Sequence, residues 1–318
     1  MRGVTWYSAF GLVVGSGVPL PGLPEVAGKP PDCVLTLRRG AIRERPTGRR
    51  HTLREPDGTV SLTIGRCRSG YLVRFPGLAP FLVSPDGCAV SSSLQPGTSP
   101  RTLAHLFLAK VLPLALSLRG RVILHASAVA TPHGAIAFLG ATGQGKSTLS
   151  TSFVRRAFPL LTDDGLLLVD NGTTLAGVPS YPEIRLWPDV LEALGYVGLE
   201  VQDVGHRDGK KRLCIGRGPW PFSLEPVPVR RLYVLGGPEP TARPRAVTIT
   251  PLTPRQAFIE LVKHTYRLDL DDRTRLRDEF DSIGRIAARP SLVYRLAFRR
   301  DLSRLPAVQA AILEHCAA

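Results

Sequence analysis

Long hydrophobic runs are missing from this sequence of 318 residues. The apolar stretch near its start, residues 4–20, resembles a signal sequence, but glycines and prolines interrupt it. No run reaches the roughly 18–20 apolar residues that a membrane-spanning helix needs. We therefore predict a first β-strand over 5–14, no membrane partner and a cytoplasmic location.

Cysteine is scarce, with five residues that lie far apart. The sequence has no Cys-x-x-Cys pair and no Cys/His spacing of the kind that holds a metal. This pattern excludes a disulfide-stapled domain and predicts reduced, individually buried thiols. The five residues are Cys33, Cys67, Cys88, Cys214 and Cys316.

Lysine is also rare, because only six of the 41 basic residues are lysine and 35 are arginine. The arginines are scattered, and no long basic run alternates with aromatic residues as a single-strand nucleic-acid groove would require. The net charge of +15 therefore indicates an arginine-rich solvated surface more than a nucleic-acid partner. An acidic substrate or anionic peptide is a partner that suits such a field.

What the sequence does contain is a phosphate-binding pattern, because residues 140–147 fit G-x-x-x-x-G-K-[ST]. An apolar strand is predicted before it, over 135–139, and a helix after it, over 147–156. The glycines let successive N–H groups face one anion, Lys146 would reach the β- and γ-phosphates, and Ser147 would bind Mg²⁺. We predict that ATP is bound by Gly140, Ala141, Thr142, Gly143, Gln144, Gly145, Lys146, Ser147 and Thr148.

Two adjacent acids, Asp163 and Asp164, end the short apolar strand predicted over 158–162. This is where a P-loop protein carries a carboxylate that binds Mg²⁺ or accepts a proton from the attacking group. An ordinary Asp-Asp-Gly turn is the alternative. His125 lies in a strand predicted over 121–130 that forms a hairpin with the strand before the P-loop. It is either near the γ-phosphate or a satisfied core histidine.

Further charged residues follow downstream. Glu183 and Arg185 fall on one side of an extended segment, where one can bind metal while the other balances phosphate charge. A surface ion pair is the alternative. Lys210, Lys211 and Arg212 end a charged segment, 203–212, which is predicted to be a mobile loop that closes over the phosphoryl group or merely stays solvated.

The order of predicted elements divides the chain into three parts. Residues 1–98 predict a small β-rich N-terminal module with an exposed loop over 39–58, which serves as a scaffold or docks a substrate. Residues 99–119 predict a connecting helix with Ser99 as its cap and a kink at Pro113. Residues 120–318 alternate strands and helices around the P-loop, which is typical of an α/β domain.

Four motifs in this order resemble the C-terminal catalytic domain of HPr serine kinase/phosphorylase. They are Leu124-His125-Ala126-Ser127, the P-loop, residues 156–161 with the two aspartates, and Glu183-Ile184-Arg185. The resemblance covers about residues 120–235. It implies a P-loop kinase fold akin to that of ATP-dependent phosphoenolpyruvate carboxykinase. It also implies the activity of the HPr kinase family, which phosphorylates a serine hydroxyl in a protein. The full enzymes of the family are hexamers, so the resemblance also predicts that this chain can form a homo-oligomer.

The resemblance also implies roles by position. Lys146 contacts phosphate, Ser147 and Glu183 serve Mg²⁺ together with the aspartates, and His125 with Asp163 and Asp164 handles the proton. Residues 1–98 do not look like the family's regulatory domain, and its C-terminal signature for phosphorolysis is missing. The segments 264–267, 293–296 and 301–306 resemble instead a divergent branch, the HPr-kinase-like proteins of lasso-peptide clusters, which phosphorylate a serine of a precursor peptide.

The sequence thus favours an ATP- and Mg²⁺-dependent serine kinase that acts on a peptide or small protein. The alternative is a nucleotide-binding regulatory or assembly ATPase that transfers no phosphate to a protein. A weaker third option is a nucleic-acid-binding protein that uses its arginine-rich surface.

Overall fold

In the computed structural model, the chain is a mixed α/β protein with several β-sheets. The structure describes residues 4–54, 57–196, 202–203, 209–216, 219–236 and 247–318. The chain divides into two compact units. The N-terminal unit comprises residues 1–121 together with Tyr266–Leu276, and the P-loop unit comprises Val122–Thr265 and Arg277–Ala318.

The N-terminal unit is built on one eight-stranded sheet with the order β1-β2-β3-β8-β7-β6-β5-β4. Strands β4 to β8 pair antiparallel, whereas β3 pairs parallel to both β2 and β8. The strands are β1 (Thr5–Ala9), β2 (Leu12–Ser16), β3 (Cys33–Leu37), β4 (Arg50–Arg54), β5 (Val60–Cys67), β6 (Gly70–Phe75), β7 (Ala79–Val83) and β8 (Ala89–Ser92).

Two predictions for this unit were wrong. The single strand predicted over 5–14 is a hairpin, because the chain reverses at Phe10-Gly11 with left-handed backbone angles and pairs Ala9 with Leu12. The loop predicted over 39–58 contains β4. Its alternating pattern is obscured because four of its five residues are exposed.

The helix predicted over 99–119 is observed as three consecutive pieces in the N-terminal unit. They are α1 (Pro100–Leu106), a π-helical turn (Phe107–Val111) and α2 (Leu112–Ser117). Ser99 caps the first piece by accepting a hydrogen bond from the N–H of Thr102 at 3.0 Å, as predicted. Pro113 donates no backbone hydrogen bond, and the widened turn directly before it is how the helix continues past the proline.

The P-loop unit holds a seven-strand path β10-β9-β12-β13-β17-β19-β18, with β11 paired to β9. Strand β10 pairs parallel to β17 as well as antiparallel to β9. The strands are β9 (Val122–Thr131), β10 (Gly134–Leu139), β11 (Leu160–Thr162), β12 (Gly165–Asp170), β13 (Leu175–Val178), β17 (Val227–Leu235), β18 (Thr248–Pro251) and β19 (Val293–Ala297).

A small second sheet in this unit has the order β14-β16-β15. Its strands are β14 (Glu183–Leu186), β15 (Gln202–Asp203) and β16 (Lys211–Cys214). The helices are α3 (Lys146–Val154), α4 (Pro188–Ala193), α5 (Pro254–Lys263), α6 (Arg273–Ala287), whose first turn belongs to the N-terminal unit, and α7 (Leu305–Ala317).

Both faces of the central strands are buried, as in sheets covered on two sides. Along β10, Phe138 packs into one core with α3 and α7, while Ala137 and Leu139 pack into another with α5 and α6. Because successive strand residues point to opposite faces, one strand contributes to both cores. This packing holds β10 rigidly where it enters the phosphate loop.

The predicted charged loop over 203–212 was wrong at both ends, because Asp203 belongs to β15 and Lys211 and Arg212 belong to β16. Residues 204–208 lie outside the described residues. All five cysteines are free, as predicted, but Cys88 and Cys214 are only half-buried. Across the described parts of the chain, no helix has both the length and the apolar character that crossing a membrane requires.

Candidate active site

The segment 140–147 forms a loop between β10 and α3, as the motif predicts. Gly143 and Gly145 adopt left-handed φ angles of 80° and 90°. Side chains disfavour these angles, so glycine permits the curl that turns the backbone N–H groups toward one side. Gly145 is the N-cap of α3, so the loop ends at a helix N-terminus, which attracts anions.

Lys146 begins α3 and is largely buried, with 7% of its surface exposed. Its Nζ donates to the carbonyl oxygens of Gly140 at 2.8 Å and Ala141 at 3.3 Å. The loop is also braced by the Gln144 side chain, which accepts a hydrogen bond from the N–H of Ala141 at 2.8 Å. The ammonium group is therefore held against the loop that is predicted to bind the phosphates of ATP.

Asp163 is an almost fully buried acid of the site. One carboxylate oxygen accepts from the Ser127 hydroxyl at 2.9 Å, and the other accepts from the N–H of Arg185 at 3.0 Å. The Ser147 hydroxyl of the P-loop also hydrogen-bonds to this carboxylate. Burial, and next the neighbouring carboxylate of Asp164, raise the pKa of Asp163 to about 6. The structure thus joins the P-loop serine to the predicted aspartate.

Asp164 is held by a different set of groups. Its Oδ2 accepts from the Arg185 guanidinium at 3.0 Å and from the Tyr181 hydroxyl at 3.2 Å. Its Oδ1 lies 3.9 Å from Nδ1 of His125. The two adjacent aspartates therefore face different partners, and Arg185 contacts both, through its backbone and its side chain.

His125 is a partly exposed residue of β9, with 27% of its side chain accessible. Its Nδ1 lies 3.1 Å from the Asp164 carbonyl oxygen, which can only accept, so Nδ1 carries the hydrogen. In the neutral ring Nε2 is then the unprotonated nitrogen. The backbone N–H of His125 donates to the carbonyl of His264 at 2.6 Å. The structure brings His125 to the aspartate pair, as the predicted hairpin requires.

Glu183 lies in β14 but is paired with Arg212 of β16, its Oε1 at 2.8 Å from the guanidinium. Both side chains are almost fully buried, at 5% and 4% exposure. The surface ion pair weighed for Glu183 and Arg185 is therefore replaced by a buried pair with Arg212. The role of Glu183 as a magnesium ligand stays a prediction.

Two of the three basic residues predicted to close over a phosphoryl group lie away from the interior. The Lys210 ammonium sits over the ring of Trp187, 5.6 Å from its centre, and Lys210 is half-buried. Lys211 is half-buried at the start of β16. Arg212 is buried in that strand, so it does not belong to a closing loop.

Four residues of the site were given no role by the sequence. Ser127 donates to Asp163 and lies 2.6 Å from the Ser150 hydroxyl of α3, and Tyr181 donates to Asp164. The fourth is His264, where burial and then the charge of Lys146 lower the pKa. Only Ser127 carried a signal, since it lies two residues after His125 in one strand and so shares its face.

The donor set fits a small hard cation and a triphosphate. Ser147 and Asp163 supply a hydroxyl and a carboxylate in contact, and Mg²⁺ commonly takes one or two such protein ligands and completes its shell with phosphate and water. Over the described residues, no group of three His, Cys, Asp or Glu side chains forms an all-protein metal site.

One solved structure that the chain is similar to is the HPr(Ser) kinase/phosphatase from Coxiella burnetii. The match covers 60% of this chain and 95% of that one, at 13% identity and a TM-score of 0.31. No protein-family model and no curated protein sequence matches the chain. A likeness at this level carries no functional conclusion, so the function rests on the site.

Proposed function

We propose that this chain is an ATP- and Mg²⁺-dependent kinase of the HPr kinase type that phosphorylates a serine hydroxyl of a peptide or small protein. The observation that carries the proposal is the pair of buried aspartates, in which Asp163 accepts from Ser127 at 2.9 Å and Asp164 accepts from Arg185 at 3.0 Å, together with the influence of the P-loop Ser147 on Asp163. A site that only binds nucleotide needs the loop, whereas phosphoryl transfer also needs a group that takes the proton.

The surroundings of the two aspartates suggest a division of roles. Asp163 touches the P-loop hydroxyl, so we assign it with Ser147 to the cation side. Asp164 lies near His125, so we assign it to the serine proton. The bound Mg²⁺ would supply charge neutralisation on the triphosphate. Lys146 and the loop amides would add to that neutralisation and align the γ-phosphate with the acceptor.

In the proposed step the serine oxygen forms a bond to the γ-phosphorus while the bond to the bridging oxygen of ADP breaks. The hydroxyl proton passes to the Asp164 carboxylate. Arg185, whose guanidinium donates to that carboxylate at 3.0 Å, keeps it oriented before the transfer. The neutral His125 ring beside Asp164 offers Nε2, its unprotonated nitrogen, as a further acceptor for the proton.

For the acceptor we propose a ribosomally made precursor peptide of the lasso-peptide type. The support is the resemblance of the segments 264–267, 293–296 and 301–306 to that branch of kinase-like proteins. His264 gives one of these segments a place beside the site, because its carbonyl binds the N–H of His125 at 2.6 Å.

A nucleotide-binding regulatory or assembly ATPase is the second candidate. It is favoured by the engagement of Glu183 with Arg212, which occupies a side chain that a kinase of this type is expected to use. ATP labelled in its γ-phosphate separates the two. We expect the label on a peptide encoded beside the gene. Label found only in free phosphate, with every such peptide supplied, would favour the ATPase.

A further inference from the structure

Positive charge is concentrated in one stretch of the N-terminal unit. Residues 38–83 contain ten arginines and three acidic residues, a net charge of +7 within a chain total of +15. Neither the P-loop nor its aspartates lie in this stretch. Nearly half of the excess positive charge therefore lies outside the site described above.

A cleft of about 410 Å³ lies within this stretch. Arg50 of β4, Gly65 of β5 and Leu72 of β6 form one row across three neighbouring strands. Thr63 and Arg74 pair in the next row on the same face, because side chains alternate along a strand. All five residues line the cleft, whose volume is in the range of ligand-binding pockets.

The rim of the cleft is fixed by the segment Glu44–Thr47. The N–H of Thr47 donates to the Arg66 carbonyl at 2.8 Å, and the Arg74 guanidinium donates to the Glu44 carbonyl at 3.2 Å. Pro46 packs over Gly65, where an added Cβ would lie only 2.8 Å from the proline ring. The glycine thus lets the rim approach the sheet, and the cleft is preformed.

Three exposed arginines, Arg45, Arg50 and Arg74, line this cleft. The nearby Glu44 carboxylate accepts a hydrogen bond from the Ser69 hydroxyl. In the portion of the chain that the structure describes, no acidic side chain forms an ion pair with these three. Guanidinium groups bind carboxylates with paired, directional hydrogen bonds, so three of them around one cleft fit acidic side chains.

We propose that this arginine cleft binds acidic side chains of a peptide and that the peptide is the phosphoryl acceptor; this second part rests on the proposed function. The lining favours a peptide over a nucleic acid, since the described lining residues offer hydroxyl and aliphatic groups but no aromatic ring for base stacking. Its size also suits side chains. The N-terminal unit is thereby assigned a docking role.

The test measures binding without ATP, using the full chain and a short fluorescein-labelled peptide that carries several glutamates. The variant R45Q/R50Q/R74Q is compared with R255Q/R273Q/R277Q, which removes the same charge from exposed arginines elsewhere. At physiological ionic strength we expect the first variant to raise Kd by about tenfold and the second to change it little. A thermal melt of each variant checks that it folds.

Equal weakening by both variants would overturn the proposal in favour of diffuse charge attraction. Equal binding of a peptide with glutamines in place of the glutamates would also overturn it. So would a single-stranded DNA probe that binds more tightly and loses affinity through the same three arginines, because the cleft would then be a nucleic-acid site.

A second readout separates this proposal from the kinase itself. With a phosphorylatable acidic peptide, we expect R45Q/R50Q/R74Q to raise KM for the peptide several-fold and to leave kcat unchanged. Peptide binding that depends on the three arginines, without any transfer, would refute the kinase and keep the cleft. Phosphoryl transfer with an unchanged KM for the peptide would support the kinase and refute the role of the cleft.

Discussion

At the residue scale, Asp163 combines functional contacts with an unfavourable place for a charge. It is almost fully buried, with Asp164 beside it and with donors from Ser127, Ser147 and the backbone of Arg185. The donors lower its pKa, but burial and the second carboxylate outweigh them and raise it to about 6. A residue kept at such a cost to folding is expected to matter for function.

The first prediction is that Asp163→Asn stabilises the nucleotide-free protein. The folded state holds the Asp163 proton more tightly than the unfolded state, so wild-type stability falls as the pH rises from about 4 to about 6. The asparagine has no such proton. Its amide can donate to Ser127, whose hydroxyl can turn to Ser150. We expect a gain of about 1–3 kcal/mol near pH 7 that vanishes near pH 4.

Urea unfolding over this pH range measures the difference. The exposed Asp281→Asn on α6 is the matched control and is expected to shift the midpoint little at any pH. A destabilised Asp163→Asn near pH 7 would show that the carboxylate is worth more to the fold than its burial costs.

The second prediction separates the two aspartates by their roles. Asp164→Asn should lower kcat at least a hundredfold and leave the affinity for Mg·ATP nearly unchanged, since it keeps Asp163 and Ser147 in place. Asp163→Asn should weaken Mg·ATP binding. Calorimetry and steady-state rates measure both variants. The opposite assignment, with Asp164→Asn losing Mg·ATP binding, would exchange the two roles.

At the element scale, the strands β14 and β16 are joined by the buried pair of Glu183 and Arg212. A buried charge that loses its partner is strongly unfavourable, whereas removing both charges together is often tolerated. Variants of this pair can therefore distinguish a structural role of Glu183 from a role in binding magnesium.

The third prediction concerns this pair. Arg212→Met should lower the free energy of unfolding by about 3–5 kcal/mol, because the buried Glu183 carboxylate loses the guanidinium that lies 2.8 Å from it. The double variant Arg212→Met/Glu183→Gln should recover much of that loss. Denaturant unfolding of the single and double variants closes the cycle. If Glu183 also serves magnesium, the double variant will be stable but weak in binding Mg·ATP. Full Mg·ATP affinity in that variant would remove Glu183 from the metal site.

How far the sequence predicts the elements depends on how local their signals are. The strand–loop–helix around residues 135–156 and the Ser99 cap before α1 were predicted and are confirmed, because their determinants lie within a few residues. The hairpin at Phe10-Gly11 and the exposed strand β4 were missed. The turn of the hairpin lies within an apolar run, so the sequence pattern does not mark it. Strand β4 has no buried face, so its residues show no alternation of apolar and polar types.

The site was predicted less completely than its motifs. Lys146, Ser147 and Asp163 are fixed by short-range patterns, but the contacts of Asp163 come from β9, β14 and α3, which are distant in sequence. No local pattern could show that Arg212 would be buried against Glu183 or that Tyr181 would reach Asp164. Long-range pairing decides these contacts.

At the scale of the whole molecule, the chain consists of two compact units, and Tyr266–Leu276 belongs to the first although it follows most of the second. Within the first unit, the Asp269 carboxylate accepts a hydrogen bond from the Tyr71 hydroxyl, and Nε2 of His51 lies 3.4 Å from Oδ2 of Asp271. The order of the elements along the sequence did not indicate that residues 266–276 belong to the first unit. A division by sequence order alone therefore misses a part of the first unit.

The fourth prediction is that Mg·ATP stabilises the folded chain through the P-loop unit. A ligand that binds only the folded state adds stability as its concentration rises, by about 2.7 kcal/mol at a hundredfold excess over Kd. We expect a rise in melting temperature with Mg·ATP that Lys146→Ala abolishes. The exposed Lys263→Ala is the control and should keep the rise. A rise that survives Lys146→Ala would place the nucleotide elsewhere.

The most direct test of the account is transfer of the γ-phosphate to a serine. The purified chain is mixed with Mg·ATP and the short peptides encoded beside its gene, and the products are analysed by mass spectrometry. The account predicts one added phosphate on a serine, reduced at least a hundredfold by Lys146→Ala and unchanged by Lys263→Ala. Normal transfer by Lys146→Ala would contradict the mechanism. No transfer to any of these peptides, with Mg·ATP still bound tightly, would contradict the kinase and leave a nucleotide-binding ATPase.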